Sequence, residues 1–229
     1  MALILNIETS SPVCSVCLSE DGYVIAEHNE LIENKHASGL ICDINELMHM
    51  GKVKFKDLSA IAVSSGPGSY TGLRIGTSVA KGLCYGLSIP LIGVSTLQAL
   101  ANEMSAKYPD SNGVYIPMLD ARRDDVYMAI YNGENNIIEK DNFVTVSVDL
   151  PDILSNYNVK NIYFGGTGSG KARLINLNDT FGTFIENLIC IAKNISSISY
   201  KRFINGSYDD HLYFEPFYLK EFEGRMKIN

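Results

Sequence analysis

Apolar and polar positions alternate along the opening stretches of the chain, Leu3 to Thr9, Val13 to Leu18 and Tyr23 to Leu31. An Asp21-Gly22 pair separates the last two runs, and Ser10-Ser11-Pro12 separates the first two, so the pattern predicts a β-meander. The period then changes. Leu40, Ile41, Ile44, Leu47 and Met48 form one stripe at helical spacing between Ala37 and Met50. A short buried strand follows at Ser59 to Ser64. From Thr71 to Leu87 the residues Ile75, Val79, Leu83 and Leu87 recur every fourth position, as a helical face requires. Ile89 to Val94 reads as a strand, and Ser95 or Thr96 caps a helix carrying Leu97, Leu100 and Met104. A connector rich in turn residues, Lys107 to Gly113, leads to two strands, Val114 to Leu119 and Val126 to Tyr131, read as an antiparallel hairpin in a mixed sheet. Beyond Asn142 the pattern predicts a short helix at Leu150 to Ser155, a strand at Asn161 to Phe164 and a helix over Phe184 to Ile198. The class is α/β. The expected division is a first lobe over 1–106, a second over 107–210, and a C-terminal segment, 211–229, packing back on the first.

The densest information lies between the strand at 59–64 and the helix from 71, in Ser64-Ser65-Gly66-Pro67-Gly68-Ser69-Tyr70-Thr71-Gly72-Leu73-Arg74-Ile75-Gly76. Gly66, Gly68 and Gly72 permit close approaches that a Cβ forbids, and a helix start favours an anion. Gly66, Gly68 and Ser69 are therefore candidate contacts for a nucleotide or anion, with Arg74 just beyond them in the helix; a partner backbone or an ordinary strand-to-helix turn would also account for the glycines. The same helix carries Gly72, Gly76, Ala80 and Cys84 at four-residue intervals beside its apolar stripe, and small side chains let another helix come close. That face suits either a partner or internal packing.

Composition narrows the classes. A formal charge of −7 and a pI near 5.1, with no basic cluster beyond Lys52, Lys54 and Lys56, argue against independent binding of RNA, whose affinity comes largely from phosphate neutralisation. The three lysines read as a solvated loop. No run approaches the roughly 18 apolar residues of a spanning helix, so a soluble, cytoplasmic chain is expected. Five cysteines, an odd number, do not suggest a secreted disulfide framework. Cys14-Ser-Val-Cys17 lies in an alternating run, where residues three apart point to opposite faces, and reads as structural.

Candidate chemistry fails in several places. Gly165-Gly166-Thr167-Gly168-Ser169-Gly170-Lys171 meets most of a phosphate-loop pattern, but Ala172 stands where a magnesium-binding hydroxyl belongs. His36 is followed four residues on by Leu40, and His28, His49 and His211 lack the helical spacing too, so no metal site is expected. Ser69 lacks the glycines of a nucleophile elbow two positions away on either side, which removes it as a candidate nucleophile.

The glycine loop, read with Ile4-Leu5-Asn6-Ile7-Glu8-Thr9-Ser10, Met118-Leu119-Asp120-Ala121-Arg122, Pro90 to Leu97 and the tail Glu215-Pro216-Phe217-Tyr218-Leu219-Lys220, resembles the bacterial TsaB (YeaZ) family. The resemblance implies an actin-like ATPase (ASKHA) fold, two lobes each with a mixed sheet flanked by helices. It implies a non-catalytic partner of TsaD, the related subunit that installs threonylcarbamoyl on adenosine 37 of tRNAs reading ANN codons. It also implies TsaE in the full complex, self-association of the isolated chain as a dimer, and tRNA met only through the complex. No cofactor is required by this chain on that reading, though ATP or ADP could sit at the complex interface. The family pairs with TsaD through the helices at about 37–50 and 71–87. In this chain those offer Leu40, Ile44, Leu47, Gly72, Ile75, Gly76, Val79, Ala80 and Leu83. Glu8 occupies the place where actin-like phosphotransferases carry an acidic residue near metal-bound phosphate and TsaB proteins usually have aspartate. An active phosphotransferase or ATPase is the alternative, and a metalloprotease of the glycoprotease type is a more distant one. Asp120 begins a hallmark turn, expected to act as a salt-bridged hinge.

Overall fold

In a computed structural model, which describes residues 1–31, 37–157, 161–174 and 182–219, the chain builds two five-stranded sheets. The first contains β1 (Leu3–Glu8), β2 (Val13–Glu20), β3 (Tyr23–Leu31), β4 (Ala60–Gly66) and β5 (Leu91–Ser95), in the order β3-β2-β1-β4-β5. β1, β2 and β3 form the expected antiparallel meander, while β4 and β5 run parallel to β1. Asp21 and Gly22 both take positive φ, 49° and 87°, as a tight hairpin turn with right-handed strand twist requires. α1 (Ala37–Met50) and α2 (Tyr70–Leu87) cover one face of this sheet, and α3 (Thr96–Lys107) leaves it through a cap in which Ser95 Oγ accepts the Gln98 N–H. The lysine loop contains a short 3-10 turn at Phe55–Asp57.

The second sheet has the order β10-β9-β6-β7-β8, from β6 (Val114–Asp120), β7 (Asp125–Asn132), β8 (Ile137–Thr145), β9 (Ile162–Gly165) and β10 (Thr183–Ile185). β6 and β7 form the expected antiparallel hairpin, and β9 and β10 are parallel to β6, so both sheets are mixed. α4 (Val146–Ser155) and α5 (Ser169–Leu174) pack on its outer face around Ile116, Met128, Leu150 and Phe164.

The helix expected over Phe184 to Ile198 does not form as such. Phe184 and Ile185 extend beside β9, Asn187 turns with φ 54°, and α6 begins only at Lys193, running to Ile204. Ile185, Leu188, Cys190 and Ile195 each drop separately into the core between the sheets, which gives a loop the apolar density of a helix. α6 lies against the first sheet although it follows the second in sequence. Residues 209–217 also return there: Asp209 N–H donates to Leu91 O, Lys81 Nζ to Phe214 O, and Phe217 N–H to Ser65 O. His36 and Lys220 lie outside the described residues. Among those described, no helix is long and apolar enough to cross a membrane.

α2 approaches β1 with no room to spare. A Cβ on Gly72 would stand 1.9 Å from Thr9 O, and one on Gly76 would stand 2.3 Å from Thr9 Oγ1, whose hydroxyl donates to Gly72 O. On the outer side of the same helix, a Cβ at Gly86 meets nothing within 4 Å. Gly72→Ala should therefore cost about 3 kcal/mol of folding stability by overpacking, whereas Gly86→Ala should gain roughly 0.5–1 kcal/mol through helix propensity. Urea denaturation of the two variants beside the parent checks both signs.

Candidate functional site: a sealed acidic pocket and an open helix groove

Glu8 ends β1, where the parallel strands β1 and β4 hand over to the glycine loop. Its side chain is fully buried. Oε1 accepts the Ser10 N–H at 2.5 Å and Oε2 lies 3.2 Å from Cys190 Sγ, which donates to it from the segment before α6. Burial raises the Glu8 pKa above its ordinary value, more than its hydrogen bonds to Ser10, Cys190 and Ser64 lower it. Burial, then the neighbouring Glu8, pushes the Cys190 thiol well above its ordinary range. Ser11 Oγ closes the same wall by donating to Cys190 O. A sealed carboxyl whose two oxygens already accept hydrogen bonds from Ser10 and Cys190 is poorly placed to hold a magnesium-bound phosphate, because hard cations recruit accessible oxygen ligands.

The glycine loop is spent on packing. A Cβ at Gly66 would meet Phe217 O at 2.5 Å and one at Gly68 would meet Ser10 O at 2.6 Å. The Ser69 N–H donates to Ser10 O, and Ser69 Oγ caps α2 by accepting from the Gly72 N–H. Arg74 is exposed; its guanidinium stacks over Tyr70 at 4.2 Å and reaches the Tyr218 hydroxyl at 3.4 Å. Of the proposed anion contacts, Gly66, Gly68, Ser69 and Arg74 are neighbours in sequence and Glu8 ends the adjoining strand, but they do not converge: Glu8 is buried, the glycines face chain crossings, and Arg74 is exposed.

The phosphate-loop likeness at Gly165 to Lys171 also resolves into packing. Gly166 has φ 96° and its Cβ would meet Met118 O at 2.4 Å, while Lys171 Nζ donates to Asp120 Oδ1 at 2.7 Å and to Asp125 O. Asp120 is held ionised below its ordinary range by that lysine and by the Arg122 N–H, against the opposing effect of partial burial. This salt bridge fixes the turn between β6 and β7.

The helix face expected to meet a partner needs correcting. Leu40, Leu47 and Ala80 are sealed inside the first lobe's own core, as are Gly72 and Gly76 against Thr9, so internal packing accounts for the small side chains. Ile44 is buried at the floor of a groove, and of the predicted residues Ile75, Val79 and Leu83 come partway to the surface. The groove itself, about 340 Å³, runs between α1 and α2. Ile41, half exposed, Phe55, Val79, Leu83 and Gly82 line it. Sequence reasoning missed Ile41, Phe55 and Gly82. A second glycine pair four apart, Gly82 and Gly86, was the available signal: neither glycine has a neighbour within 4 Å that would demand its lack of a Cβ.

Two mixed sheets flanked by helices, joined through a central core, define an actin-like ATPase-type protein. A hexokinase of the ROK type from Thermus thermophilus shares this fold, at a TM-score of 0.52 and 7% identity, covering 89% of this chain and 100% of that one. A family model described as "TsaD: tRNA N6-adenosine threonylcarbamoyltransferase" matches residues 28–186, and the chain belongs to that family. Within it the similarity is to TsaB (YeaZ) proteins. The tRNA threonylcarbamoyladenosine biosynthesis protein TsaB of Bacillus subtilis is 36% identical over 137 residues, 60% of this chain and 58% of that protein, so the match spans less than two thirds of the relative's length. YeaZ from Pseudomonas aeruginosa superposes with a TM-score of 0.82 at 26% identity, covering 96% of this chain and 100% of that one.

The Glu8 environment has a signed pH consequence. Because the folded-state pKa is raised from 4.5, the native state holds a proton that the unfolded chain releases, so this group lowers stability as pH rises from about 4.5 through the folded value. Glu8→Gln should remove that slope and leave the fold at least as stable as the parent at pH 8. Thermal denaturation of both proteins from pH 4.5 to 8 measures it.

Proposed function

We propose that this chain is a non-catalytic subunit of the machinery that adds threonylcarbamoyl to adenosine 37 of tRNAs reading ANN codons, and that it acts by binding and stabilising TsaD. The observation that carries the reading is the pairing of a sealed acidic pocket with an open apolar groove. Glu8, at the position where an actin-like phosphotransferase would hold its metal-bound nucleotide, is buried and hydrogen-bonded to Cys190. The groove between α1 and α2 instead exposes Ile41, Phe55, Val79 and Leu83 beside Gly82, where no intramolecular contact requires a glycine. Exposed glycines inside a helix cost about 1 kcal/mol each relative to alanine, a cost that close approach by a partner helix offsets. The TsaB relatives, named for threonylcarbamoyladenosine biosynthesis, and the match to the TsaD family model support the pathway and the partner. The net charge of −7 favours a subunit that meets tRNA through its partner rather than by itself. Any ATP or ADP would then be held chiefly by that partner.

Gly82→Arg tests the groove without disturbing the monomer, since the new side chain starts in open space. Calorimetric titration with TsaD from the same organism should show binding weakened by about a hundredfold, an amount expected from placing an unpaired charge in a desolvated contact, with an unchanged circular dichroism spectrum. Binding as tight as the parent's would remove the groove from the interface. The isolated chain should show no steady ATP hydrolysis; turnover abolished by Glu8→Ala would favour the phosphotransferase reading instead.

A further inference from the structure

A mixed donor cluster lies away from both regions, where α1 crosses the edge strand β3. The two-residue spacing of His28 and Glu30 turns them to the same face of the strand. Asp43, buried on α1, comes to the same point from the helix side. His28 Nε2 lies 3.7 Å from Asp43 Oδ1 and 3.8 Å from Glu30 Oε2, and the three donor atoms lie within 4.8 Å of one another. The Nε2 atom is itself shielded from solvent and has no hydrogen-bond partner. A shielded ring nitrogen without one forfeits about 1–3 kcal/mol.

Those separations are too long for hydrogen bonds and close to what a shared ion needs. Bonds of about 2.0–2.2 Å to zinc, opened at tetrahedral or trigonal angles, hold neighbouring donors roughly 3.4–3.6 Å apart. Glu30 has a side chain 47% exposed and can close the remaining few tenths of an ångström by a small rotation. An imidazole beside two carboxylates selects a first-row divalent ion over magnesium or calcium, which favour all-oxygen shells. Two carboxylates also neutralise its charge.

We propose that His28, Glu30 and Asp43 form a zinc-type metal site, with water completing the shell on the solvent side through the opening beside Glu30. The ion ties α1 to the edge of the first sheet. It thereby fixes the helix that carries Ile41 and Ile44, one wall of the groove. Its role is structural.

The test uses the full chain, stripped with a chelator and titrated with zinc chloride by calorimetry, beside His28→Gln, Glu30→Gln and the control Cys42→Ser, which removes the exposed thiol. The parent and Cys42→Ser should take up one zinc per chain, with a raised thermal midpoint and no displacement by a large excess of magnesium. Both glutamine variants should bind about tenfold or more weakly. Cobalt substitution supplies a readout that needs no variant: the site predicts a visible spectrum without a thiolate charge-transfer band. Absence of one-to-one binding, a thiolate band, or parent-like affinity in folded His28→Gln and Glu30→Gln would overturn the proposal.

Discussion

The first lobe depends on one crossing, where the first two turns of α2 lie directly on Thr9. Gly72 and Gly76 remove every atom between the helix backbone and the end of β1, and the Thr9 hydroxyl bonds back to Gly72 O. Gly68 then meets Ser10, and Phe217 closes over Gly66. With the loop pressed this closely onto the strand, Glu8 has no route to solvent and takes its hydrogen bonds from Ser10 and Cys190. Burial in that pocket raises its pKa, because desolvation penalises the charged form. One backbone contact therefore sets both the packing of the lobe and the burial of Glu8.

The same contact decides which side of α2 remains outside. The helix spends its small-residue face on β1, so its apolar remainder, Val79 and Leu83, turns toward α1 and leaves the groove with Ile41 and Phe55. A helix pair with a shallow apolar channel and glycines on its rim is suited to receive another helix, and poorly suited to hold a polar substrate. The proposed role as a binding subunit rests on this division between a closed pocket and an open helix pair.

Much of this was legible in the sequence because local signals and tertiary structure agree. The meander, its Asp21-Gly22 turn, α2 and the Ser95 cap all follow from periodicity and turn chemistry that the fold retains. The misses occur where burial is not periodic. They also occur where burial and hydropathy part: along the edge strand β8 the less exposed positions include Glu139 and Asp141 while Ile137 and Ile138 are exposed, so its sequence carries no apolar alternation to read. The stretch from Phe184 is apolar because it plugs the core residue by residue, which imitates a helix in sequence. The glycines between Gly66 and Gly76 advertised a close approach correctly, but not that the approaching group was Thr9, Ser10 and the C-terminal tail of the same chain. Likewise, seeking histidines at helical spacing overlooked a strand pair, His28 and Glu30, completed by an aspartate from a helix.

The central claim, that Glu8 is a buried, hydrogen-bonded group rather than a ligand for metal-bound nucleotide, can be read directly from its carboxyl carbon. A carbon-13 NMR titration of the folded chain, with and without magnesium ATP, follows that one signal. The account predicts a carboxyl pKa above the ordinary value of 4.5 and no change on adding the nucleotide. Ionisation at or below the ordinary value, with a shift on adding magnesium ATP, would contradict it.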